Sequence, residues 1–157
     1  LGRHRQLGGR PFGVEHDESA LVVETNAFRY RPHPQVLVRA AAGTRVVEVV
    51  RLVAAATLTG AHVTISADPA VELPASLGHV QVVAEDDAAA LARAQHARDV
   101  RVRAIGDVPA ALVDDLVAAG VDVITGEVLA TGRREVLPFV REQAVSTTRH
   151  RFGHIER

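Results

Sequence analysis

Apolar residues recur along this chain in short runs, each closed by a glycine, a proline or an acidic residue, and the runs are of two kinds. Val36 to Ala40, His62 to Ala67, Val80 to Ala84, Arg101 to Ile105 and Val121 to Thr125 are short and rich in Val and Ile, as buried strands are. Longer stretches with helical spacing lie between most of them. Gly43-Thr44 reads as a turn and N-cap for a helix from Arg45 to Thr59, with Gly60 as its stop. That helix is apolar around most of its circumference, which predicts burial on more than one side, against its own sheet and a partner. Asp86 reads as the cap of an Ala-rich helix from Asp87 to about Arg98. Asp107-Val108-Pro109 opens another, Ala110 to Ala119, that stops at Gly120.

Two segments flank this alternation. Asn26 to Arg31 places Phe28 and Tyr30 on one face and Arg29 and Arg31 on the other, a half-buried strand ending at Pro32-His33-Pro34. Leu137 to Gly153 mixes exposed-type charges with Leu137, Phe139, Val145 and Phe152, which favour burial. Terminal segments fray unless tied down, so this tail is expected to dock on something. Within it, Leu137 to Gln143 predicts a short turn or helix and Ala144 to Thr148 an extended arm. The whole pattern predicts an α/β fold: a Rossmann-like, mainly parallel five-stranded sheet with helices on its faces, plus an N-terminal strand and an extended C-terminal tail. The expected divisions are 1–23 as a flexible arm or linker, 24–136 as the Rossmann-like domain and 137–157 as a docking motif and tail.

Composition narrows the chemistry. The 157 residues suffice for one domain with a real core, and at 3% aromatics that core is built from Val, Ala and Leu. A net charge of −1 gives no general pull toward nucleic acid or an anionic membrane. All 18 basic residues are Arg, so no Schiff-base or P-loop lysine is present, and the absence of Cys removes disulfides, thiolate metal sites and a cysteine nucleophile. The longest apolar run, Val46 to Leu58, is broken by Glu48 and Arg51 and cannot span a membrane. No signal-peptide pattern opens the sequence, which favours a cytoplasmic protein, and the absence of Met suggests a piece of a longer one.

No catalytic set emerges. A Rossmann sheet binds dinucleotides through a glycine-rich first turn, but here that turn reads Ala40-Ala41-Ala42-Gly43-Thr44. One glycine makes a turn and not a pyrophosphate cradle, leaving Gly43 and Thr44 as weak candidates only. His150 and His154 have a metal-ligand spacing, but Gly153 interrupts the helix it would need. Asp86-Asp87 and Asp114-Asp115 are adjacent pairs that point apart on a helix, and suit capping and solubility better than catalysis. His62 opens a strand, where it is more often a satisfied edge residue than a base. Ser146, Thr147 and Thr148 lack an identifiable activating base, and Arg149 to Arg151 lack interleaved aromatics for nucleic acid.

Two motifs carry a family resemblance. Glu24-Thr25-Asn26-Ala27-Phe28-Arg29-Tyr30-Arg31-Pro32, followed by Val36-Leu37-Val38-Arg39, resembles the last part of the bifunctional proline dehydrogenase / L-glutamate-γ-semialdehyde dehydrogenases, the proline utilization A family. Leu137-Pro138-Phe139-Val140-Arg141-Glu142-Gln143-Ala144-Val145-Ser146-Thr147-Thr148 is similar to that family's C-terminal motif. The resemblance runs from about Glu24 to Gly153 and departs at Arg149-His150-Arg151, where small and amide residues are expected. It implies a C-terminal domain of the aldehyde dehydrogenase superfamily that has lost its catalytic residues. Such a domain packs on the semialdehyde dehydrogenase domain of the same parent chain or its oligomer mate. There it acts as scaffold or lid and helps enclose the cavity that channels pyrroline-5-carboxylate. The parent's FAD and NAD would both lie outside this fragment, which would itself hold no cofactor and no metal. The interface residues so implied are Leu137, Pro138, Phe139, Arg141, Glu142, Val145, Ser146, Thr148 and Phe152. The alternative is an independent nucleotide-binding protein or small NAD-dependent oxidoreductase with a divergent glycine turn. A homo-oligomer formed through the Arg45 to Thr59 helix is compatible with the first reading.

Overall fold

Five of the Val-rich runs line up in one parallel sheet in the computed structural model, which describes residues 15–17, 24–77, 79–130 and 132–148. In chain order the strands and helices are β1 (Glu24–Pro32), β2 (Gln35–Ala40), α1 (Val46–Thr59), β3 (Val63–Ala67), β4 (Gln81–Ala84), α2 (Asp87–His96), β5 (Val100–Ile105), α3 (Ala110–Ala118), β6 (Asp122–Ile124), the short α4 (Gly132–Glu135) and β7 (Val140–Thr148). Single 3-10 turns occupy Ala75–Leu77 and Leu137–Phe139. The sheet runs β4-β3-β2-β5-β6, all parallel, so the expected α/β architecture is the one found. Its order is that of a doubly wound sheet lacking the sixth strand, with the strand order reversing between β2 and β5.

Side chains alternate across β2 and divide the core in two. Leu37 joins Val102, Ala104, Ala94, Leu112 and Leu116 on the face covered by α2 and α3. Val36 and Val38 lie on the opposite face, level with Arg101 and Arg103 of β5. Val49, Leu52 and Val53 of α1 are buried, each contributing about 1.5–3 kcal/mol.

Several expectations need correcting. Thr44 is not the N-cap of α1: Arg45 is, and the carboxylate of Glu48 accepts hydrogen bonds from the Arg45 amide (3.0 Å) and guanidinium (2.6 Å). The Thr44 hydroxyl instead turns back to the Ala41 carbonyl at 2.7 Å, because Gly43 at φ +75° brings the turn close enough for that bond. Asp86 does cap α2, accepting from the Ala89 amide at 2.9 Å, but that helix ends at His96 rather than near Arg98. On α1 the inward face is buried, while Val46, Val47, Val50 and Leu58 are 42–57% exposed. The extended part of the tail begins at Val140 and not Ala144, since Leu137-Pro138-Phe139 closes after one 3-10 turn.

The chain forms two units, Pro32–Val140 and the paired segments Leu1–Arg31 with Arg141–Arg157. Residues 1–14, 18–23 and 149–157 lie outside the described residues, and with them most of the expected N-terminal arm, Phe152, and the Arg149–Arg151 and His150/His154 candidates.

Candidate functional site

The place where this fold binds ligands is the crevice beyond the strand ends, between β2 and β5. Here it has a volume of about 550 Å³ and both Gly43 and Gly106 line it. The two loops that frame it are tied to each other. The Ala41 amide donates to the Ile105 carbonyl at 3.0 Å, and the Asp107 amide to the Ala42 carbonyl at 2.7 Å. Gly43 is packed so tightly that a Cβ there would stand 2.5 Å from Asp107 Oδ2. Gly106, at φ +81°, is closed in by Thr44 Oγ1 and the Ala41 and Ala42 carbonyls. Both predicted candidates are therefore brought into the crevice region, but their freedom is spent on loop-to-loop packing.

The charges in the crevice have the wrong sign for a pyrophosphate. Glu48, Asp107, Asp114 and Glu127 line it against a single cation, Arg45. Arg45 is already paired with Glu48, whose carboxyl is held below the usual carboxylate range by that guanidinium and by the Arg45 amide. A phosphate approaching the N-terminus of α1 would meet carboxylates where a cradle needs free amides.

The neighbouring strand end, where a dinucleotide fold places the acid that binds a ribose hydroxyl, is filled from within. Arg39, 1% exposed on β2, donates to Asp87 Oδ1 from Nε (3.1 Å) and Nη2 (2.7 Å). It also donates to the Glu85 carbonyl (2.9 Å) and Ser66 Oγ (3.2 Å). Asp68, at the end of β3, stands 3.8 Å from the same guanidinium and accepts from the Ala70 amide. Glu85 adds a two-pronged pair with Arg93, which holds its carboxyl below the usual range.

The tail divides at Val140. Phe139 is fully buried and Pro138 is buried with it, whereas Leu137 is exposed. Arg101 of β5 fans out to this stretch, with Nε on Asp122 Oδ2 (2.6 Å) and Nη1 on the carbonyls of Pro138 (3.1 Å) and Val140 (2.9 Å). Arg103, two residues on, donates to Glu135 (3.2 Å) and to the Gly126 and Glu127 carbonyls. Glu135 in turn accepts from the Leu129 amide at 2.7 Å.

Past Val140, β7 pairs with β1 in a two-stranded sheet. Arg29 donates to Gln143 (2.7 Å), Tyr30 to Glu142 (3.2 Å), and Ser146 to Asn26, so partner numbers fall as β1 advances and the strands run antiparallel. The Tyr30 hydroxyl is pushed up because its bond to the Glu142 carboxylate favours the protonated phenol. Phe28 and Tyr30 pack edge to face, 5.5 Å between ring centroids, and Arg29 pairs with Glu15. Of the predicted interface residues, Leu137, Arg141, Glu142, Val145, Ser146 and Thr148 are exposed, and Pro138 and Phe139 sit in the interior of Pro32–Val140.

Sequence reasoning missed Arg39, Arg101 and Arg103. The signal was available: a guanidinium in a strand reading as continuous apolar sequence has to find acceptors. Among the described residues no three His, Asp or Glu side chains come together as a metal site. No helix among them is long and apolar enough to cross a membrane.

No protein-family model and no curated protein matches the chain. Among solved structures it is similar to Proline Utilization A (PutA) from Corynebacterium freiburgense, at 36% identity and a TM-score of 0.60. The match covers 92% of this chain and 12% of that one, so the chain spans a small part of that protein's length. The chain is related to a domain-sized part of Proline Utilization A.

Proposed function

We propose that the chain is a non-catalytic domain of a proline-catabolic oxidoreductase, serving as scaffold or lid for its semialdehyde dehydrogenase domain. The observation that carries this reading is the 36% identity to Proline Utilization A over nearly the whole chain. The geometry at the strand ends supports it. Asp107 packs on Gly43, Glu48 sits at the N-terminus of α1, and Arg39 with Asp68 fills the neighbouring corner. On this reading FAD and NAD belong to other parts of a cytoplasmic parent. The partner surface is then the exposed residues of the tail: Arg141, Glu142, Val145, Ser146 and Thr148. An extended strand of this kind adds to a sheet edge through main-chain bonds, with alternate side chains setting register.

Thermal-shift titration of the chain with NAD tests the non-catalytic part, since a ligand that binds only the folded state raises apparent stability. No shift is expected. A saturable rise would favour an independent nucleotide-binding protein. The docking part is tested by deleting Leu137 to Arg157 from the full-length parent: coupling between its two activities should weaken while proline oxidation is spared. Unchanged channelling would refute it.

A further inference from the structure

We infer that Arg101 is the residue that holds the turn over 137–140 in place, supplying the donors that its carbonyls lack. The inference goes beyond the docking reading and concerns the closure of this turn within Pro32–Val140. Proline removes one donor from Leu137–Phe139, and a single 3-10 turn leaves its last carbonyls without helical partners. Those carbonyls are met from outside the turn. The Phe139 carbonyl accepts from the His33 amide at 2.8 Å, and the Pro138 and Val140 carbonyls accept from Arg101 Nη1, with the Leu137 carbonyl at 3.4 Å from the same nitrogen. Asp122, one strand over, holds Nε and so fixes the plane of the guanidinium that makes these bonds.

The sheet does not depend on this fan. Arg101 and Asp122 are also paired in the parallel ladder between β5 and β6, which the main chain maintains whatever the side chains are. Removing the guanidinium therefore strips donors from 137–140 while leaving the ladder in place. A lysine keeps the charge but presents one compact ammonium, which cannot hold Asp122 and two carbonyls in a plane.

Hydrogen exchange of the 157-residue chain, read peptide by peptide, tests the inference. In Arg101→Gln, protection over 137–140 should fall about tenfold or more, while amides of β2 and β3 keep theirs. Arg101→Lys should lose most of the same local protection, and Asp122→Asn, which leaves the carbonyl bonds, should lose clearly less. Unchanged protection over 137–140 in Arg101→Gln would overturn the inference. So would an equal loss in β2 and β3, because the residue would then be one more support of the whole fold. These readouts do not depend on any partner. If they hold while tail deletion leaves channelling unchanged in the parent, the docking reading falls and the role of Arg101 in placing the segment stands.

Discussion

Arg39 and Asp87 should differ sharply in what their loss costs, although each is one half of the same pair. Arg39 is 1% exposed and Asp87 39%, so only the cation is trapped. In Asp87→Ala the guanidinium stays buried, with Asp68 at 3.8 Å as its nearest carboxylate, alongside the Glu85 carbonyl and Ser66. Breaking a buried pair from one side costs about 3–5 kcal/mol. The exposure of Asp87 and the nearness of Asp68 place this case at about 3 kcal/mol. In Arg39→Met the volume is kept, the buried charge is gone, and Asp87 turns to water. What remains is loss of donors to the Glu85 carbonyl and to Ser66, about 1–2 kcal/mol. The double variant should cost little more than Arg39→Met alone, a coupling of about 2–3 kcal/mol. Loss of a first-turn acid from α2 enters both backgrounds and cancels. Urea denaturation of the four proteins, with m-values checked for constancy, measures the cycle. If Arg39→Met costs as much as Asp87→Ala, or the two add within about 0.5 kcal/mol, the account of Arg39 as a buried charge held by Asp87 is refuted.

Gly106→Ala should cost about 3–5 kcal/mol and Gly120→Ala about 1–2 kcal/mol by the same denaturation assay. Both sit at positive φ, but only at Gly106 would a Cβ strike Thr44 Oγ1 and two backbone carbonyls; equal costs would remove the loop-to-loop packing argument. Glu48 and Glu85 have folded pKa values depressed by Arg45 and Arg93, so their contribution is fully present above the unfolded carboxylate pKa. It is lost as pH falls through the lower folded values. Glu48→Gln and Glu85→Gln should therefore lower the melting temperature at pH 7 and flatten its fall below about pH 4, and a parallel acid limb would contradict this.

The sheet was legible because its strands are short Val-rich runs bounded by Gly, Pro and Asp, signals that act over a few residues. Asp86 as a cap was legible for the same reason. What was not legible depends on residues far apart. Thr44 had the identity of an N-cap, but Gly43 turned it toward the carbonyls of Ala41, just past β2, and of Ile105 in β5. That Arg39, Arg101 and Arg103 need acceptors was legible, but which acceptors was not, because only the packing of α2, α4 and the 3-10 turn over the sheet supplies them. The start of β7 was misplaced because Arg141-Glu142-Gln143 is polar throughout, and its pairing with β1 is invisible to any local window.

That pairing also sets an order of events in folding. The bonds from Arg29 to Gln143 and from Ser146 to Asn26 join residues 114 and 120 positions apart. In an unfolded chain, closing a loop of that length costs about 3 kcal/mol more than closing a four-residue hairpin. The folding of Pro32–Val140 removes that cost if it comes first, since there the His33 amide, just before β2, meets the Phe139 carbonyl at 2.8 Å. The expected order is that the β1–β7 ladder appears last and is lost first. Mutations along it should quicken unfolding and leave the folding rate alone.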